Sequence, residues 1–173
     1  TVVCAGPELS RAQHTVRAIE ERDRFAHALE VDITRETDAA WLVRSTLQRF
    51  GRIDILVNNA GLEPGPRGAA LGVYYGIRHG APAIAATGGG AIVNISSVLG
   101  RPGDLARCAA ARHGVLGLTR SFALGYAGRR VRINALCPAH EGTEALEQSR
   151  ADEGSWATLG AEPAFARLEG PED

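Results

Sequence analysis

The sequence predicts an α/β fold, a doubly wound parallel sheet, and three observations carry that expectation. Short apolar runs alternate with longer stretches of helical period. Gly, Pro and Asp residues punctuate the joins between them. The 173 residues, 45% apolar and only 5% aromatic, suit one domain with a single substantial core.

Taken in order, Thr1–Ala5 is the first strand, stopped by Gly6 and Pro7. Ser10 caps a helix to about Arg22, with Ala12, Val16 and Ile19 on one face. Phe25–Val31 is the second strand, closed by Asp32. Thr37 caps the next helix, where Ala40, Val43 and Leu47 repeat at helical spacing before Phe50 and Gly51 end it. Ile53–Val57 is a third strand, apolar on both faces as a central parallel strand should be. Residues 62–72 read as loop, and helix resumes over Val73–Ala86, with Pro82 expected to kink or delay it. Gly88, Gly89 and Gly90 turn the chain into a fourth strand, Ala91–Ile95. Asp104 caps a long helix to about Ala127, and Val131–Leu136 is the fifth strand. The tail beyond Pro138 has a short helical patch over Glu144–Arg150 and is otherwise of solvated composition.

Composition excludes several function classes. Nineteen basic against twenty acidic residues leave a net charge of -1, which gives no electrostatic reason to expect nucleic acid or an anionic membrane as partner. No apolar run approaches the roughly 20 residues that span a bilayer, and the first residues carry no secretory signal pattern. Three cysteines point to reduced thiols and a cytoplasmic setting. The absence of Met and the start at Thr1 inside an apolar run are those expected of a fragment. All the basic residues are Arg, so chemistry that needs a lysine is excluded.

Several segments carry a family resemblance. VDIT (31–34), GRIDILVNNAG (51–61), GGGAIVNISS (88–97), HGVLGLTRSFAL (113–124) and RRVRINALCPA (129–139) occur in the order seen in short-chain dehydrogenases/reductases, which this chain resembles along its length. The resemblance implies a Rossmann-like fold and hydride transfer between NAD(P) and a small carbonyl or alcohol. It further implies that Asp32 and Ile33 meet the adenine, that Asn59, Ala60 and Gly61 line the adenosine ribose, and that Ile95 lies under the nicotinamide. Pro138 and Thr143 would hold its carboxamide. Plainer roles stay open: Asp32 as a turn cap, Asn58 and Asn59 as partners of local backbone, Thr143 as a helix cap.

The departures from the family pattern are equally specific. Its TGxxxGxG phosphate turn is absent, and the turn that remains, Gly6-Pro7-Glu8, offers a carboxylate where phosphates would sit. Of the expected Ser, Tyr and Lys, Ser97 matches the serine, while Arg107 takes the tyrosine position and Ala111 the lysine position. Arg112 stands one residue late, about 100° around the helix. The relay asparagine is replaced by Ala69 in a shortened region. An arginine cannot give up its proton near neutral pH, so proton delivery is impaired and the chain is expected to be nearly inactive. The alternative is a non-catalytic module that binds a nucleotide weakly or serves in assembly. Cofactor binding is expected to be weak, with NADP slightly favoured over NAD because Cys4-Ala5-Gly6 carries no acidic group for a ribose diol. Cys137, His140, Cys108 and His113 match no common zinc spacing, and no metal is expected. Tyr74 and Tyr75 are expected to pack in the core.

The spacing from Val3 to Asp32 matches that of the family's second strand, so its first strand and glycine turn are expected to be missing, as is its last strand. The surviving strands are expected to close up in the order 2-1-3-4-5, with Thr1–Ala5 paired to both neighbours and Val131–Leu136 left as an edge. Small residues on the helix after 105, among them Gly114 and Gly117, suggest a homo-oligomer formed through helix faces.

Overall fold

The computed structural model of the chain describes residues 1–59, 68–96 and 105–138, the side chains of 68–69 and 105–109 excepted. Strands β1 (Val2–Gly6), β2 (Ala26–Glu30), β3 (Ile55–Asn58), β4 (Gly90–Ile95) and β5 (Val131–Leu136) alternate with helices α1 (Leu9–Glu20), α2 (Glu36–Phe50), α3 (Gly68–Ala86) and α4 (Leu105–Tyr126). Every strand pairing is parallel, as βα alternation requires.

The helix starts differ slightly from the sequence reading. Glu8 and Arg35 hold the positions before α1 and α2 in extended conformation without a side-chain cap. Thr37 instead bonds the Asp38 carboxylate at 3.1 Å. Gly51 ends α2 at φ 75°, its N–H bonding the Leu47 carbonyl, a left-handed turn that suits glycine. Helix α3 begins earlier than the Gly- and Pro-rich stretch suggested and runs through Pro82.

The core lies between β3–β4–β5 and the pair α3 and α4. Val73, Ile77 and Ile84 of α3, Ile92 of β4, Val115 of α4 and Val131 and Ile133 of β5 form one buried cluster. Each such side chain contributes about 1.5–3 kcal/mol when fully buried. Along β5, buried Val131 and Ile133 alternate with exposed Arg132 and Asn134, the period-two signature of a strand covered on one side.

The strand order is a correction. The described strands form two sheets, β1-β2 and β3-β4-β5, and β1 does not pair with β3; the expected closure to 2-1-3-4-5 does not occur. The two sheets are linked through their helices instead. Two packed helices stand about 8–10 Å apart, whereas paired strands stand about 4.8 Å apart. Helix α2 packs beside α3, with the Ile33 side chain before α2 pressed against Gly72 of α3. Side-chain packing of α2 on α3, and not a β1–β3 ladder, therefore joins the two sheets. In consequence β3 is not a covered central strand: Ile55 is 66% and Val57 55% exposed. Strand β5 pairs only with β4 among the described strands; the residues after 138, on which the expected open edge depends, lie outside the described ones.

Candidate functional site

In a parallel α/β sheet the carboxyl ends of the strands open onto the ligand-binding crevice. Here those ends carry Asn58 and Asn59 after β3, Ile95 and Ser96 at β4, and Pro138 beyond β5. Asn59 is exposed, while Ile95 and Pro138 are half-buried. A depression of about 1020 Å³ lined by Asp54, Gly89, Arg130 and Arg132 lies at the opposite ends of these strands and is not the crevice.

A buried polar chain fixes the strand ends. The Asn58 Nδ2 group donates to Asn94 Oδ1 at 2.8 Å. Asn94 Nδ2 donates to the Thr119 hydroxyl at 2.9 Å, which donates to the Val115 carbonyl at 2.7 Å. Asn94 is fully buried, so each bond also avoids the cost of an unsatisfied polar group, about 1–3 kcal/mol. Two strands and α4 are thereby held in one register. Ser96 adds to it: its N–H bonds the Leu136 carbonyl at 2.8 Å, and its hydroxyl donates to the Arg112 carbonyl at 3.4 Å.

Helix α3 reaches this network through a row of glycines. A Cβ at Gly76 would collide with the Asn58 amide, one at Gly72 with Ile33, and one at Gly80 would stand 2.6 Å from a Leu56 methyl carbon. Sequence reasoning passed over Asn94, Ser96, Thr119 and Gly76, although glycines at i, i+4 and i+8 of a helix mark a close-packed stripe.

The adenine-side candidates are engaged locally. Asp32 Oδ1 accepts the Thr34 N–H at 2.9 Å and its hydroxyl at 2.7 Å, and these bonds hold the carboxyl below its ordinary range. Asp32 therefore caps its own turn, the plainer role left open for it. Ile33 lies against α3. Glu8 sits at the start of α1, its carboxylate 3.0 Å from Arg11 Nε. Burial pushes the Cys4 thiol up. The described residues thus place Ile95 and Pro138 at the carboxyl ends of β4 and β5 and offer no glycine cradle for a pyrophosphate.

Ala60, Gly61, Ser97 and Thr143 lie outside the described residues. The side chains of Ala69, Arg107 and Cys108 do so as well, and so do His140 and the Glu144–Arg150 patch. Ala111 and Arg112 are half-buried on α4. Tyr74 packs edge-on against Tyr75 with ring centroids 5.5 Å apart and lies 6.0 Å from Phe122. Both tyrosines are half-buried, a partial form of the expected core role. Arg78 donates to the Tyr74 hydroxyl at 2.8 Å, which, with Glu36 nearby, raises the guanidinium's affinity for its proton.

Comparison with known proteins gives a consistent picture. The family model for short chain dehydrogenases matches residues 1–154. The chain is 33% identical to cis-4-hydroxycyclohexanecarboxylate dehydrogenase of Sinomonas cyclohexanicum, over 99% of this chain and 75% of that one. It is 30% identical to the 3beta-hydroxysteroid dehydrogenase of Mediterraneibacter gnavus, over 88% of this chain and 61% of that one. Among solved structures, gluconate 5-dehydrogenase from Burkholderia cenocepacia, in complex with NADP and tartrate, superposes with a TM-score of 0.75 at 27% identity. That match covers 90% of this chain and 66% of that one. The chain thus spans between about three fifths and three quarters of the length of these relatives.

Proposed function

Because the chain belongs to the short-chain dehydrogenase/reductase family of oxidoreductases, we propose that it is a nicotinamide-dependent oxidoreductase scaffold for a small alcohol or ketone, with impaired chemistry. The observation that carries this reading is the Asn58–Asn94–Thr119 chain, which holds Asn59, Ile95 and Ser96 at the carboxyl edge of the sheet. Ser97 is the remaining polarising group for a substrate oxygen. Arg107 and Ala111 stand where the proton donor and its partner are needed, and neither can supply a proton at neutral pH.

Residues 1–173 are read as a single domain lacking the family's glycine-rich strand-turn-helix and its final strand. Two observations support that reading. The match to the Sinomonas enzyme takes in 99% of this chain but 75% of that one, so about a quarter of the enzyme lies outside it. Strands β1 and β3 are not paired with each other, as a missing strand between them would leave them. Cofactor binding is weak, because Pro7 removes a donor and Glu8 puts a carboxylate at the start of α1. NADP is slightly preferred. The substrate is a secondary alcohol or ketone of the kind named for the relatives, among them a hydroxycyclohexanecarboxylate. The setting is cytoplasmic, the reading that three cysteines taken as reduced thiols favour. Self-association runs through α3 and α4, where Leu71 and Leu124 are exposed. A non-catalytic module that binds nucleotide or assembles with partners is the second reading, favoured by the lost proton donor.

Titration with NADH and NADPH by fluorescence, followed by a carbonyl-dependent turnover assay, tests this. Weak binding and negligible turnover are expected. Turnover at the rate of ordinary family members, abolished by Ser97→Ala, would overturn the impairment.

A further inference from the structure

Arg112 stands out electrostatically among the described residues. Its Nη1 nitrogen is shielded from solvent and has no hydrogen-bond partner, and no other described side-chain nitrogen or oxygen is buried in that state. Several other arginines face carboxylates or rings: Arg52 meets Asp54 at 2.7 Å, Arg78 meets Glu36 at 3.1 Å, and Arg129 lies 5.3 Å from the Tyr126 ring centre. Arg112 enters no such pair among the described residues.

A guanidinium keeps its charge at every pH the fold survives, so it cannot escape burial by losing its proton. Leaving one of its nitrogens dry and unpaired is a net cost to the folded chain. Such groups are rare in native proteins, and an ion or ligand missing from the site is a usual explanation. The position agrees. Arg112 lies two turns into α4, and its carbonyl receives the Ser96 hydroxyl. That places its backbone against the carboxyl end of β4, the edge on which Asn59 and Ile95 also lie.

We propose that Arg112 anchors an oxyanion, the carboxylate or phosphate of a small ligand, at this edge of the sheet. The guanidinium has donors and no acceptor, so its partner must supply lone pairs. A two-oxygen anion matches the fork and neutralises the charge, whereas a neutral hydroxyl or carbonyl does only the first. For the oxidoreductase reading, on which this substrate assignment rests, it selects alcohols and ketones that carry an acid group. Anion binding itself needs neither cofactor nor turnover.

The test is calorimetry and thermal melting of the full chain at low salt, without cofactor, using sodium 3-hydroxybutyrate, 2-butanol and inorganic phosphate. The hydroxybutyrate should bind and raise Tm, while 2-butanol should do neither. Arg112→Gln should weaken the anion by roughly ten- to hundredfold, the effect of losing a charged hydrogen bond. Its unliganded Tm should equal or exceed the parent's, because an unpaired buried group has gone. Arg112→Lys keeps the charge without the fork and should retain part of the binding. Phosphate binding that is tighter than hydroxybutyrate, and equally lost in Arg112→Gln, supports the site and assigns it to phosphate ligands. The proposal is overturned by equal binding of 2-butanol, by no response to either anion at millimolar concentration, or by a lower unliganded Tm in both variants. It is also overturned if Arg112→Gln loses NADH while keeping the anion. Anion binding without any NADH binding would sink the oxidoreductase reading alone.

Discussion

Replacing Gly76 by alanine sets two opposed effects against each other on one helix. Alanine favours the α3 backbone by about 1 kcal/mol over glycine. Its Cβ, however, would stand 3.0 Å from Asn58 Cγ and 3.2 Å from Nδ2, and closer still to Oδ1. Asn58 must swing away and give up its 2.8 Å bond to Asn94. Asn94 is fully buried, so its oxygen is left unpaired at a cost of about 1–3 kcal/mol. Crowding of the strand adds about 1–3 kcal/mol. The net loss is about 1–5 kcal/mol, read as a lower urea midpoint at unchanged slope. Gly125→Ala, near the end of α4, is the control. No atom lies within 4 Å of its Cβ, so it should stabilise by up to about 1 kcal/mol. Pairing Gly76→Ala with Asn58→Ala removes the collision, and the double variant should lose less than the two single losses added, by about 1 kcal/mol or more. Strict additivity, or a Gly76→Ala variant as stable as the parent, would refute the packing argument.

Two further outcomes follow from the same geometry. Gly88 and Gly89 have φ of 111° and 98°, so alanine at either is strained by about 1–3 kcal/mol; Gly89→Ala should cost more, because its Cβ meets the Arg130 carbonyl oxygen at 2.5 Å while Gly88 faces open space. Thermal melts of the two variants compare them directly. Asp32 is held below its ordinary pKa by Thr34, so its charge contributes stability that is present above the unfolded value, near about 3.9, and lost as pH falls through the folded one. Asp32→Asn should therefore cost about 1 kcal/mol or less near neutrality, the site being open to solvent, and that deficit should vanish in acid; a deficit that grows on acidification contradicts the assignment.

The fold was legible where the signal is local. Strand β5 has the expected bounds, Val131–Leu136, because alternation of Val131 and Ile133 with Arg132 and Asn134 is a pattern within one segment. Helix starts were less legible. Ser10 and Thr37 are good capping residues by type, yet Glu8 and Arg35 occupy the capping positions, since the turns before the helices are fixed by strand ends. Helix α3 starts ahead of Val73 because packing on β3 outweighs the low helix propensity of its glycines. The strand order was not legible, since it depends on how α2 and α3 space the layers. At the site, Asn59, Ile95 and Pro138 could be named from segment order. Asn94 and Thr119 could not, because their value lies in a bond across 25 residues.

The seam between β1–β2 and the three-stranded sheet has a consequence for how the chain opens. No backbone ladder crosses it. Residues 1–30 pack chiefly on one another, β1 on β2 and α1 on both, whereas the segment that follows is tied to α3 by the Ile33–Gly72 contact and by the exposed pairing of Glu36 with Arg78 and His79, each exposed ion pair contributing about 0–1 kcal/mol. Residues 1–30 therefore form a unit that can detach while the remainder stays folded, and native-state amide exchange should resolve two protection levels instead of one.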